Sequence, residues 1–366
     1  MKKIATLAVL AAASAASFAQ SSVTLFGVVD ATVQVGRGSA SNNTGLGNGG
    51  NASSRLGFRG TEDLGGGLKA GFWLESGFNN DDGTSKSNNF GGSTPNNTFG
   101  TASSTSGGLT FARRATVSLI GDSWGEIRLG RDFSTQYLSI SAYDPFGDVG
   151  VGATLLDNAQ LGLGGPATVR VGNSASYITP NFGGFYGQVQ AYRGEQGPGA
   201  NKKDGNGYGA RAGYKNGPLD VALSYAKTDY ASSATDLRIG DIKTWTVGAS
   251  YDLGVASLMA VYRNDKVDNS FDPKGKGYLF GAKVPVGAGE IRASWSRYER
   301  EATGIDAKAD KFALGYVHNL SKRTALYTTL AYVKNKGGAG VTLNGASLTN
   351  ANDNSKGLDI GLRHAF

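Results

Sequence analysis

The chain has 366 residues, 36 Lys and Arg against 29 Asp and Glu, 57 glycines, two histidines and no cysteine. Without cysteine there is neither a disulfide framework nor a thiolate metal site. The modest positive charge comes with no Lys/Arg run and no zinc or RNA-binding motif, so nucleic acid is not an expected partner.

At the N-terminus, Lys2 and Lys3 precede an apolar stretch from Ile4 to Ala13, and Ser17-Phe18-Ala19 supplies the small-x-small pattern that a signal peptidase accommodates. The stretch is shorter than the ~20 residues needed to cross a bilayer as a helix, so residues 1–19 are predicted to be a cleaved export signal. Residues 20–366 are then one domain starting at Gln20, and its net charge falls from +7 to +5 as the two lysines leave.

Strands follow in order. Over 22–37, Val23, Leu25, Val29, Ala31, Val33 and Val35 share one parity, while Thr24, Asp30, Thr32 and Gln34 share the other. Residues 38–52 read as a surface loop, because Gly45-Leu46-Gly47-Asn48-Gly49-Gly50 lacks the Lys-Ser/Thr ending of a phosphate cradle. Ser53–Leu64 and Leu68–Phe78 form a hairpin around Gly65-Gly66-Gly67, with Leu56 and Phe58 opposed to Arg55 and Arg59, and Phe72 and Leu74 opposed to Trp73 and Glu75. Further pairs are predicted at 111–122 with 125–134, 175–183 with 185–195, 206–216 with 218–230, 242–253 with 255–267, 276–286 with 288–301, and 309–320 with 322–336. The last strand puts Leu358, Ile360, Leu362, His364 and Phe366 on one parity and Asp359 and Arg363 on the other.

The count is about sixteen, an even number that brings both ends of the chain to one side. The intervening connections are longer, at roughly 38–52, 80–110, 135–174, 196–205, 231–241, 268–275, 302–308 and 337–355. Polar residues keep one parity nearly throughout, as though one face of the whole sheet met water and the other something apolar. A strand of ~10 residues at ~3.3 Å each, tilted ~45°, rises about 23 Å, close to the ~25 Å apolar band of a membrane barrel. The expected fold is therefore all-β, a transmembrane antiparallel barrel. Phe185, Tyr214, Tyr251, Tyr316 and Phe366 are its candidate boundary aromatics.

Chemistry is sparse. The two histidines, His318 beside a short turn and His364 on the apolar parity, make no Ser-His-carboxylate group, so no catalytic residue, cofactor or metal is expected. Asp81, Asp82 and Asp204 read as hydrated loop acids rather than a calcium site. The forty-residue connection 135–174 is long enough to be functional.

Five blocks, in order and spacing, carry a resemblance: Ser21-Ser22-Val23-Thr24-Leu25-Phe26-Gly27-Val28-Val29-Asp30, the run from Ser54 to Gly65, Leu129-Gly130-Arg131, Asp144-Pro145-Phe146-Gly147-Asp148, and Gly361-Leu362-Arg363-His364-Ala365-Phe366. Together they span the mature chain, which resembles a general porin of the Gram-negative outer membrane, most like the beta-proteobacterial branch. The resemblance implies a homotrimer of sixteen-stranded barrels in outer-membrane lipid and lipopolysaccharide, passing ions and small hydrophilic solutes. The third long loop would fold into each pore, and Phe366 would be the signal read by the barrel-assembly machinery. Carried over by position, the wall arginines are Arg55 and Arg131, with Arg59 beside Arg55, facing Asp144 and Asp148 of a loop motif that includes Pro145, Phe146 and Gly147. Parity adds Arg114 and Glu75. Strict alternation from Ile127 and Leu129 would turn Arg131 outward, so its role requires a bulge at Gly130. Arg170 falls inside the same long connection. The arginine cluster and net +5 lead to an expected mild anion preference. Two other readings are a surface receptor working through loops 80–110 and 337–355, and a sugar or phosphate channel, which would call for an aromatic slide or a dense lysine row.

Overall fold

Alternation along each strand becomes hydrogen-bonded ladders in a computed structural model that describes residues 22–85, 110–157, 160–163, 165, 167–194, 202–343 and 347–366. The export signal at 1–19 and most of the 80–110 connection lie outside the described residues. The strands are β1 (Ser22–Arg37), β2 (Asn42–Asn48), β3 (Arg55–Gly65), β4 (Leu68–Gly77), β5 (Arg114–Gly121), β6 (Gly125–Phe133), β7 (Arg170–Ile178), β8 (Phe185–Tyr192) and β9 (Gly207–Asn216). They continue as β10 (Leu219–Thr228), β11 (Asp241–Asp252), β12 (Ser257–Asp268), β13 (Lys274–Val286), β14 (Gly289–Ala302), β15 (Ile305–Asn319), β16 (Thr324–Lys336) and β17 (Ser355–Ala365).

All neighbours are antiparallel, and β1 meets β17 to close the ring, from Val28 opposite Ala365 to Arg37 opposite Lys356. On its other edge β1 pairs with β3 between Ser22 and Val28, and with β2 between Ala31 and Arg37. The ring thus holds sixteen strands, and β2 is an extra one folded over the upper half of β1. This corrects the expectation of a surface loop over 38–52. Above Val28 the edge of β1 is left open as the chain enters β3, and Asn42–Asn48 supplies the missing partners. A stretch of Gly and Asn carries no apolar parity by which to find such a strand.

The face assignments hold. Val23 is 66% exposed and Val33 48% exposed on the outside, whereas Asp30 and Thr32 are buried within. With hydrocarbon outside, ring closure is what satisfies every backbone group. Of the candidate boundary aromatics, Phe185 packs against Tyr214 at 4.6 Å, and the Tyr316 hydroxyl lies 3.2 Å from His318 Nδ1.

Several boundaries move: β5 starts at Arg114, β7 ends at Ile178 and β8 ends at Tyr192, and two connections change length. The connection between β14 and β15 shrinks to residues 303–304, because both strands run on past the membrane band. The connection after β6 is residues 134–169 rather than 135–174, and it opens with a helix, α1 (Thr135–Ser141), whose Tyr137 N–H donates to the Ser134 hydroxyl at 3.2 Å. The first residues of β7 escape sequence reading because the register shifts there: Gly130 sits at φ +121° and Asn173 at φ +50°, breaking the alternation.

At the seam, the Gly27 N–H donates to the Phe366 carbonyl at 3.0 Å and the Phe366 N–H returns to Gly27 O at 3.1 Å. The Phe366 ring occupies the space a Cβ on Gly27 would need. Gly27→Leu is therefore expected to cost ~1–3 kcal/mol of overpacking and to lower the fraction of barrel that keeps its compact mobility on unheated SDS gels. Adding Phe366→Ala should recover part of that loss; if the double variant is no better than the single one, ring and glycine do not compete for this space.

Candidate functional site at the lumenal constriction

Residues 134–169 fold into the lumen, held there from both backbone and side chains. Asp144 is the staple: its carboxylate accepts the N–H groups of Phe146 at 3.0 Å, Asp148 at 2.9 Å and Thr154 at 3.1 Å. Further along, the Val151 N–H donates to Asp359 Oδ2 at 2.7 Å, the Leu155 N–H to Ser296 Oγ at 3.3 Å and the Leu163 N–H to the Tyr298 hydroxyl at 3.2 Å. The Tyr143 hydroxyl donates to Asp220 at 2.9 Å, and Lys311 Nζ donates to the Ala153 carbonyl.

Packing supports these bonds. Ile140, Tyr143 and Leu156 pack on Ala222, Val261 and Leu279 of the wall, while Phe146, Val151, Leu155 and Leu161 pack with Tyr298, Ala309, Ala313 and Val333. Three wall glycines make room: Gly248 for Tyr143, Gly281 for Pro145 and Gly315 for Phe146. A side chain at any of them would collide with the loop.

What remains open is a cavity of about 790 Å³ between the loop and the opposite wall. Its loop side is made by Pro145, Phe146, Gly147, Asp148 and Asp157, and its other sides carry Arg55, Arg113, Arg170, Lys283, Arg292 and Arg363. The charges are partly tied to one another. Glu75 bridges Arg113 at 2.5 Å and Arg55 at 3.8 Å, Arg292 meets Glu290 at 2.7 Å, and Arg170 Nε donates to the Arg113 carbonyl at 2.9 Å with its guanidinium 4.4 Å from the Phe133 ring centre. Burial pushes the carboxyls of Asp148 and Asp157 up, and the neighbouring Asp157 charge lifts Asp148 well above the usual carboxylate range. A carboxyl that holds its proton contributes no charge, so the acid side of the cavity is weakest at low pH and strengthens as pH rises.

The residues expected at the constriction separate into two groups. Arg55, Asp148, Pro145, Phe146 and Gly147 line the cavity, with Glu75 directly behind Arg55. Asp144 does not face the lumen: it is 2% exposed and spent on the loop's own amides. Arg59 and Arg114 are on the lumenal parity but do not line the cavity: Arg59 lies nearer the Gly65–Gly67 turn, Arg114 stands opposite Glu75, and their guanidiniums are 5.1 and 4.5 Å from the Trp73 ring, with Arg114 also 3.6 Å from Asp132. At Arg131 the bulge forms, yet the side chain turns to the Ala112 carbonyl at 2.6 Å and does not line the cavity.

Sequence reading missed Arg113, Lys283, Arg292 and Arg363. Arg113 precedes β5, so strand parity says nothing of its direction. Lys283, Arg292 and Arg363 do sit on the polar parity of predicted strands, and that parity was the available signal; only closure of the ring brings them to the same height as Arg55.

A closed sixteen-stranded barrel, apolar outside and cationic within, narrowed by a loop sewn into its lumen, defines a diffusion channel of the transmembrane β-barrel class. The chain belongs to the Gram-negative porin family, whose model matches residues 6–338. It is 41% identical to outer membrane porin protein 32 of Delftia acidovorans, over all of this chain and 99% of that one. It is 30% identical to an outer membrane porin protein of Bordetella pertussis over the full length of both. Among solved structures, an anion-selective porin from Comamonas acidovorans superposes with a TM-score of 0.81 at 38% identity, covering 95% of this chain and all of that one. The protein is thus a passive water-filled channel of the outer membrane, and not an enzyme.

Proposed function

We propose that the pore passes small anions in preference to cations. The observation that carries this reading is the six cationic side chains around the cavity, set against a half-buried pair of adjoining carboxyls whose charged forms are disfavoured. Arginine holds its charge at any relevant pH, and at physiological salt a charge acts over about 8 Å, so selectivity is set where the loop narrows the lumen. Reversal potentials across planar bilayers under a KCl gradient test it; cation preference would overturn it.

The acid pair gives the preference a pH dependence. Raised carboxyls are neutral at low pH and gain charge as pH rises, so the Cl⁻/K⁺ permeability ratio should be highest in acid and fall as the pair ionises. Asp148→Asn with Asp157→Asn should flatten that profile and hold the ratio at its acid-side value. A wild-type ratio that rises with pH would show that other groups dominate.

Residues 1–19 serve as the export signal of a single barrel domain, 20–366. The barrel works as a homotrimer surrounded by lipopolysaccharide, and its last strand, ending on Phe366, is handed to the barrel-assembly machinery. Conductance steps in groups of three support the trimer; strictly single steps from the purified protein would count against it.

A further inference from the structure

Behind the constriction loop, one row of the wall carries hydrogen-bond donors that no protein atom takes up. Arg211 of β9, Ser224 of β10, Thr246 of β11 and Arg263 of β12 are successive cross-strand partners, so they stand at one height on the lumenal face. Ser224, Thr246 and Arg263 are sealed from solvent, at 1%, 0% and 0% exposure. The inner loop forms the seal. Leu156 lies against Gly277, which faces Arg263 from β13, and Tyr143 lies against Gly248, the next lumenal position along β11 from Thr246.

Only part of the Arg263 guanidinium is used. Its Nε donates to Asp265 Oδ1 at 3.0 Å and Oδ2 at 2.8 Å, and that carboxylate also receives the Tyr298 hydroxyl at 2.6 Å and the Thr244 hydroxyl. Nη1 and Nη2 have no acceptor, and the hydroxyls of Ser224 and Thr246 have no partner. Buried polar groups are almost always paired, and a charged donor is the costliest kind to leave without an acceptor. Charge points the same way. Asp265 is committed to Arg263, whereas Arg211, whose Nε donates to Ser139 Oγ at 3.1 Å, forms no ion pair among the described residues. Arg211 and Arg263 against Asp265 leave one positive charge in excess. The loop's Asp157 acts on Arg263 through space and forms no ion pair with it among the described residues.

We propose that this recess holds one small monovalent anion, a halide, between the Arg263 Nη atoms and the Ser224 and Thr246 hydroxyls, as a fixed part of the loop's seat. Guanidinium N–H groups only donate, and both hydroxyls can turn a hydrogen toward the same point. An anion accepts from all of them through charge-assisted bonds, whereas water would bring hydrogens of its own to a place already rich in donors. The ion is not in transit, because Leu156 and Tyr143 stand between it and the cavity. Bound only while the loop is seated, it stabilises that seat.

Crystals of the full chain grown in sodium bromide and measured at the bromine edge should show one anomalous peak per chain within hydrogen-bond distance of Arg263 Nη1 or Nη2. Thr246→Val with Ser224→Ala, which removes the hydroxyls and leaves the Arg263–Asp265 pair alone, should abolish it. In solution, an ion at about ten times its dissociation constant lowers the population of unseated loop about tenfold. Protease should therefore cut within 134–169 about tenfold more slowly in chloride than in gluconate for the wild type, and equally fast in both for the double variant. Ordered water without anomalous signal, Asp157 seated on Arg263, or a wild-type loop cut at one rate in the two salts would overturn the proposal. A peak undiminished in the double variant would mark an adventitious ion only. Should the double variant lose its compact mobility on unheated SDS gels, Thr246→Val alone replaces it, and the wild-type bromide peak remains decisive. The site takes no part in choosing among permeating ions, so the double variant should keep the wild-type reversal potential. Cation preference in the wild type would strike the anion-preference reading and leave this one standing.

Discussion

Glutamine at Arg55, Arg113 and Arg170 together is expected to lower the Cl⁻/K⁺ permeability ratio about tenfold in dilute KCl. A unit charge acting on an ion about 8 Å away through water contributes about 0.5 kcal/mol; three such charges give about 1.5 kcal/mol, close to the ~1.4 kcal/mol of a decade. Removing them also leaves Glu75 without its partners, so the drop includes a newly exposed negative charge, and adding Glu75→Gln separates that part. In 1 M salt the screening length contracts to about 3 Å, and most of the difference should vanish. Arg59→Gln with Arg114→Gln is the matched comparison: both guanidiniums lie against Trp73 and neither lines the cavity, and the reversal potential should shift much less. If the two sets of substitutions shift it equally, position at the constriction does not decide selectivity.

The second large effect concerns the calibre of the pore. Asp144→Ala would strand three backbone N–H donors inside the loop. At about 1–3 kcal/mol for each unsatisfied buried group, the loss for three is on the order of 3–9 kcal/mol, enough to free the segment from Pro145 to Thr154. Unitary conductance should rise and become noisy, and protease should cut within the loop. Asp144→Asn keeps one carbonyl oxygen facing those amides and should lie between the two. An alanine variant with wild-type conductance and protease resistance would mean that packing on the wall glycines holds the loop without the carboxylate.

Much of this protein is legible from its parities. The span of β1, the hairpin around Gly65–Gly67, the even strand count and the wet side of the last strand follow from residues alternating at period two, since a lipid-facing sheet has no other way to solvate one face. The site was legible only in part, for geometric reasons. Parity tells which side of the wall a residue takes but not its height or its position around the ring, so Arg59 and Arg114 were grouped with Arg55 although Arg59 lies deeper and Arg114 turns onto Trp73, and Lys283 and Arg292 went unnoticed on distant strands. Asp144 was found by its motif yet assigned to the electric field, because a loop aspartate looks solvated until burial is known. β2 left no trace, as its Asn and Gly residues alternate nothing.

The notches at Gly248, Gly281 and Gly315 bear on how such pores diversify. A lodging carved from three strands exists only after those strands have been zipped side by side, so the narrowing must come late in assembly. Evolution cannot retune permeability by exchanging the inner loop alone, because a transplanted segment with bulky residues at other places would find its recesses missing. Aperture and stave are inherited as one fitted set.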